Sequence, residues 1–213
     1  MKAMLSYAIL VILLLGVSGS AFAVTRVYDP FIPTPSDLYD LEHAKYYSWG
    51  ISFALPEEEE ITKATLYIYR LNNWAWESGD TLFIHLLDNP ALGVTTFNDT
   101  DSNNGHPPAY DNWTGQGVLI AAYHDYNEGV AVDKTYKLHD IGLVPTLTAY
   151  IRNNDRFGFG FDPDCHYYNC GIKFVIETEV EYKQPPVPEP TGLVALGAGM
   201  MSLGGLISRR RKI

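Results

Sequence analysis

The densest run of side chains able to do chemistry is Asp99-Thr100-Asp101-Ser102-Asn103-Asn104-Gly105. Oxygen-bearing side chains at alternate positions ahead of a turn can wrap a hard cation. Asp99, Asp101 and Asn103 are therefore candidate calcium ligands, and Asp111 is near enough to complete a looser site. The run departs from the usual calcium loop, because Asn104 stands where the sharp turn wants Gly and Tyr110 where a bidentate Glu should close the site. An unliganded polar loop is the competing and simpler reading. A second set is Asp162, Asp164 and His166. In an extended segment the three point the same way and offer two carboxylates and an imidazole to a divalent ion. They can equally satisfy backbone donors in a loop stiffened by Pro163. No cofactor is expected unless one of these sets takes up a metal ion, calcium being the better candidate.

Trp74 and Trp76 share a face if their segment is extended, with Asn72, Asn73 and Glu77 alongside and Tyr46-Tyr47-Ser48-Trp49 earlier in the chain. Flat rings pack on the apolar side of a sugar while polar neighbours take its hydroxyls, so these two residues are candidate sugar-binding positions. The alternative is that the rings close the edge of a core, where Trp is usually well buried. Cys165 and Cys170 are the only cysteines. In an oxidising compartment such a pair is expected to form a disulfide pinning the loop between them. A metal site using both thiolates and His166 is less well supported, because structural zinc wants four ligands and no second pair exists.

Catalytic motifs are missing: there is no Gly-x-Ser-x-Gly elbow, no H-E-x-x-H and no phosphate-cradling Gly-Lys-Ser loop. His124-Asp125 and His139-Asp140 are sequence neighbours, which a strand sends to opposite faces. Glycoside hydrolysis needs two carboxylates, but in a chain this acidic some pair always exists. The chain is therefore expected not to be an enzyme.

The elements that must hold these residues are visible as alternation along the chain. Ala64, Leu66 and Ile68 fall on one face of a run, as do Leu82, Ile84 and Leu86, and again Ile172, Phe174, Ile176 and Val180. Period two with one wet face marks antiparallel strands packed on one side. In Phe157-Gly158-Phe159-Gly160-Phe161 the aromatics take one face and the glycines leave room on the other for a close neighbour. Turn residues separate the runs, at Asn72-Asn73, Ser78-Gly79-Asp80, Asp88-Asn89-Pro90, Asn103-Asn104-Gly105 and Asn127-Glu128-Gly129. One helix is predicted, Val144 to Arg152, with Pro145 near its start. The fold class is all-β, an antiparallel β-sandwich of jelly-roll-like arrangement over residues 24–183. The run Glu57-Glu58-Glu59-Glu60 reads as a solvated turn before a strand.

Both ends read as processing segments. Residues 1–23 combine Lys2, an apolar core from Ile9 to Leu15 and an Ala21-Phe22-Ala23 exit, the three parts of a secretory signal peptide cleaved by signal peptidase. Residues 184–191 are a Pro-rich linker that cannot continue a sheet. Residues 192–207 form an uncharged, glycine-rich, hydrophobic transmembrane segment, expected to be a helix and slightly short for a stable span. Residues 208–213 carry Arg209, Arg210, Arg211 and Lys212, which hold that end on the cytoplasmic side. Five of the 15 Lys and Arg, and one of the 25 Asp and Glu, lie in these ends, leaving the middle with 10 basic and 24 acidic residues, net −14. Such a surface disfavours nucleic acid, whose phosphates need Lys and Arg.

The order Val187-Pro188-Glu189-Pro190-Thr191, apolar segment, Arg cluster resembles the PEP-CTERM sorting signal. The resemblance covers about the last 27 residues. It implies export, then recognition of Pro188-Glu189-Pro190 by an exosortase, a membrane sorting enzyme that cuts the chain there and discards the C-terminal segment. It also implies a transient anchor in the inner membrane and then release to the cell surface or into extracellular polysaccharide. Phe157 to Ile172 is similar to the terminal strand-loop-strand of sandwich domains in other sorted proteins of this kind, most of which have no assigned activity. The expected function is a non-enzymatic surface or matrix protein associated with exopolysaccharide. A carbohydrate-binding module using Trp74 and Trp76 is the first alternative, and a polysaccharide-active enzyme the second.

Overall fold

The computed structural model describes residues 23–28, 30–33, 38–74, 80–99, 110–126 and 129–180. The alternating runs become strands: β1 (Val24–Val27), β2 (Asp40–Leu41), β3 (Lys45–Ser52), β4 (Glu59–Asn73), β5 (Thr81–Asp88), β6 (Gly93–Asn98), β7 (Gly117–His124) and β8 (Val132–Lys137). The single described helix, α1 (Val144–Asn154), separates β8 from β9 (Arg156–Pro163), β10 (Tyr167–Tyr168) and β11 (Ile172–Val180). These strands make two antiparallel sheets. One runs β1-β11-β4-β10-β2, with β8 on the other side of β4; the second runs β6-β3-β9-β5-β7.

Four of the pairings are nested along the chain. β1 pairs with β11, β3 with β9, β4 with β8 and β5 with β7. In the first sheet Ala64, Leu66 and Ile68 face Ile176, Phe174 and Ile172 across the ladder, and all six are buried. In the second, Phe161 lies between Tyr47 and Ile84, and Phe159 between Trp49 and Leu86. These inward positions from both sheets join one hydrophobic cluster, which also takes Leu147 and Ile151 from α1. Each such large side chain contributes about 1.5–3 kcal/mol through burial.

α1 begins with Pro145 in its first turn and ends at Asp155, whose left-handed φ of 50° lets its N–H donate to the Ile151 carbonyl at 2.8 Å. Arg152 on this helix donates to the carbonyls of Leu55, Pro56 and Glu59, tying α1 to the start of β4. The acidic run ahead of β4 is not wholly solvated, contrary to the expectation from its composition. Glu57, Glu58 and Glu60 are exposed, but Glu59 is 1 % exposed. It accepts from Thr178 Oγ1 at 2.6 Å, Tyr28 Oη at 2.8 Å and the Arg26 guanidinium. Strand alternation places Glu59 on the inward face, and these donors replace the water it loses. No helix among the described residues is long and apolar enough to cross a membrane.

Candidate functional site

The outer face of the second sheet gathers the most ionisable chemistry. Phe157, Phe159 and Phe161 of β9 point into the core, so Gly158, Gly160 and Asp162 point outward. The glycines admit close neighbours, as expected from their spacing: a Cβ on Gly160 would sit 2.7 Å from the indole nitrogen of Trp113. Trp113 comes from the turn between β6 and β7, and two carboxylates pin that turn to the sheet. Asp111 Oδ2 lies 2.8 Å from Nε2 of His85 on β5, while its Oδ1 accepts from the Trp113 N–H at 3.0 Å. Asp162 Oδ2 accepts from the N–H of Asn112 at 2.6 Å and from its side-chain amide at 3.1 Å. Tyr46 stacks on Phe97 at 4.9 Å and meets Trp113 edge-on at 5.1 Å, completing an aromatic wall.

Electrostatics divide these carboxyls. Burial alone would raise Asp111, but the hydrogen bond and charge of His85, with the Trp113 and Thr114 donors, hold it below the usual range. Burial pushes Asp162 up to about 6, against the two Asn112 donors and helped by the charges of Asp99 and Asp111. Burial, then the charge of Asp162, pushes Asp164 up to about 7, with Asp80 and Asp99 adding to it. The fold thus brings Asp99, from the first candidate set, into the field of Asp162 and Asp164, from the second. Asp101 and Asn103 lie outside the described residues. Among the described residues no group of three His, Cys, Asp or Glu side chains is arranged to hold a metal ion.

His166 does not join Asp162 and Asp164 in such a group. Its Nδ1 lies 3.1 Å from Nδ1 of His43, which the turn between β2 and β3 supplies. Trp74, 46 % exposed, tilts over the His166 ring with centres 4.9 Å apart, and Tyr168 stacks on the same ring at 6.1 Å. Trp74 is thus an exposed ring beside polar groups rather than a core residue; Trp76 lies outside the described residues. Of the earlier aromatic run, Tyr47 and Trp49 face the core.

The expected Cys165–Cys170 disulfide is absent, and the two thiols are not joined to each other. The alternation of β9 continues past its end, turning Cys165 into the core at 0 % exposure, whereas Cys170 sits at an exposed bend before β11. Between them β10 pairs with β4 on one side and β2 on the other, so backbone ladders close the loop that a disulfide had been expected to pin.

Ser48, Gly160 and His85 stand in one row across β3, β9 and β5. With the Asp111 contact this offers a hydroxyl, an imidazole and a carboxylate in series. Ser48 is two strand spacings from His85, roughly 9.6 Å, and the Trp113 indole lies over the Gly160 between them. His85 was legible as the outward residue between Ile84 and Leu86; nothing in the sequence marked His43 as the partner of His166 or Trp113 as the neighbour of Gly160. The candidate sorting residues Val187, Pro188, Glu189 and Pro190, the signal peptide and the hydrophobic segment lie outside the described residues. No family model matches the chain, and no curated protein matches it.

Proposed function

We propose that this chain is an exported, PEP-CTERM-sorted surface or matrix protein, non-enzymatic and associated with extracellular polysaccharide. The observation that carries the reading is the order of Val187-Pro188-Glu189-Pro190, an uncharged apolar segment and Arg209-Arg210-Arg211, together with an export signal ahead of Val24. The apolar segment would hold the chain transiently in the inner membrane while an exosortase-type enzyme acts at Pro188-Glu189-Pro190. Mass spectrometry of protein recovered from producing cells tests this. Loss of the residues after the Pro-Glu-Pro motif is expected, and an intact Arg209–Ile213 end overturns the reading.

We infer further that the two sheets form a β-sandwich of jelly-roll type. Nesting β1·β11, β3·β9, β4·β8 and β5·β7 is what a strand ribbon folded over itself would produce. A second reading, a carbohydrate-binding module, is favoured by one observation: Trp74 is exposed and flanked by His166, with Tyr168 beyond it. A glycan array separates the two, since a module should bind and lose binding in Trp74→Ala, while a flat array for both proteins removes the module.

A further inference from the structure

We propose that His43 and His166 form a binding site for a divalent transition-metal ion, held by their two Nδ1 atoms and open to solvent at its remaining positions. The two residues are 123 apart in sequence, and the fold alone brings them together. Two distances bear on the arrangement. The Nδ1 atoms are 3.1 Å apart, while the ring centres are only 4.8 Å apart with planes crossed at 83°. A collinear N–H···N hydrogen bond at that nitrogen separation would place the centres about 5.4 Å apart. The shorter separation fits lone-pair axes that bend toward a common point off the N···N line. An ion bound at about 2.0–2.1 Å by each nitrogen, with an angle near 100° between them, reproduces both the nitrogen and the ring-centre separations.

The rings are also held in place before any ion arrives. His166 packs against Trp74 at 4.9 Å and Tyr168 at 6.1 Å, and its carbonyl accepts from the Trp74 N–H at 3.2 Å. Preorganised ligands lose less side-chain freedom on binding. Imidazole suits zinc, copper and nickel, while calcium and magnesium take oxygen. Because no third His, Cys, Asp or Glu joins the pair among the described residues, this is not a closed structural zinc site. It would be an exchangeable site with room for water or an incoming ligand, and the net −14 of the middle of the chain favours cation approach.

Nickel is the probe of choice, since it does not oxidise the exposed Cys170. The full-length chain is titrated with Ni²⁺ at about pH 7.5, followed by calorimetry and by tryptophan fluorescence, for wild type, His43→Gln and His166→Gln, with His124→Gln as a control. One saturable equivalent is expected, with quenching through Trp74, at least tenfold weaker binding in each site variant, and none of that loss in the control. Trp74→Phe should lose the quenching yet keep the calorimetric equivalent. Thermal melting checks that each variant is folded; if one is not, the other site variant still decides. Absence of a saturable equivalent, or titration curves that coincide for wild type and the folded site variants, leaves an ordinary imidazole–imidazole hydrogen bond and overturns the proposal.

Discussion

Asp162 is an ionisable group buried where ionisation is costly, and that makes its effect on stability calculable. Its side chain is 1 % exposed, and its pKa is raised from 3.8 to about 6. The raised value means that the folded state binds the proton more tightly than the unfolded chain does. The stabilisation is therefore fully present below the unfolded pKa and is lost as pH rises through the folded one. The whole span is on the order of 3 kcal/mol, and about 2 kcal/mol of it falls between about pH 4.5 and pH 8. Asp162→Asn removes the charge but keeps an oxygen for both Asn112 donors, and it takes a negative charge out of the field shared with Asp99, Asp111 and Asp164. Urea unfolding of wild type and variant at the two pH values supplies a double difference in which contributions common to both proteins cancel. The variant should gain about 2 kcal/mol on wild type between the acidic and the alkaline measurement. An equal pH dependence in the two proteins, or a gain of the opposite sign, would show that Asp162 is not a buried charge and refute the reasoning.

Three other perturbations test separate parts of the structure. Glu59→Ala leaves Thr178, Tyr28 and Arg26 without their shared acceptor and should cost about 3–5 kcal/mol in chemical denaturation at neutral pH. For Glu59, burial raises the pKa but the Thr178, Tyr28 and Arg26 interactions outweigh it, so its stabilisation is present above the unfolded value and is lost as pH falls through the lowered folded one. Gly160→Ala drives a Cβ to 2.7 Å from the Trp113 indole nitrogen, and should destabilise by about 1–3 kcal/mol with an altered near-ultraviolet circular dichroism band; a silent substitution would mean the ring does not pack there. A thiol reagent should label one cysteine rapidly in the native protein, Cys170, and both only after unfolding; no labelling without a reductant would restore the disulfide.

Much of this architecture was legible because strand alternation is a local property. The inward sets Ala64-Leu66-Ile68, Leu82-Ile84-Leu86 and Ile172-Phe174-Ile176 needed no knowledge of their partners, and neither did Gly158 and Gly160, which make room for Pro90 and Trp113. Pro145, Leu147 and Ile151 marked α1 in the same local way. What stayed hidden was what depends on pairing. Glu59 looked solvated inside an acidic run, because its donors Arg26, Tyr28 and Thr178 come from two other segments. Cys165 and Cys170 looked like a disulfide by compartment and proximity, but the strand phase that buries Phe161 also buries Cys165, and a ladder closes the loop instead.

The site residues sharpen the same distinction. Asp162, Asp164 and His166 share a parity that would align them if the strand continued, but β9 ends at Pro163. Beyond that point the burial alternation persists, with Pro163, Cys165 and Tyr167 inward, but the chain bends at Asp164 and Cys165 and carries His166 to different neighbours. Asp162 therefore clasps Asn112, while His166 meets His43. A metal-ligand set read from spacing is only as good as the element assumed to carry it. Three residues past a strand end, a single predicted cluster has parted into a buried carboxylate that resists ionisation and an imidazole paired with His43.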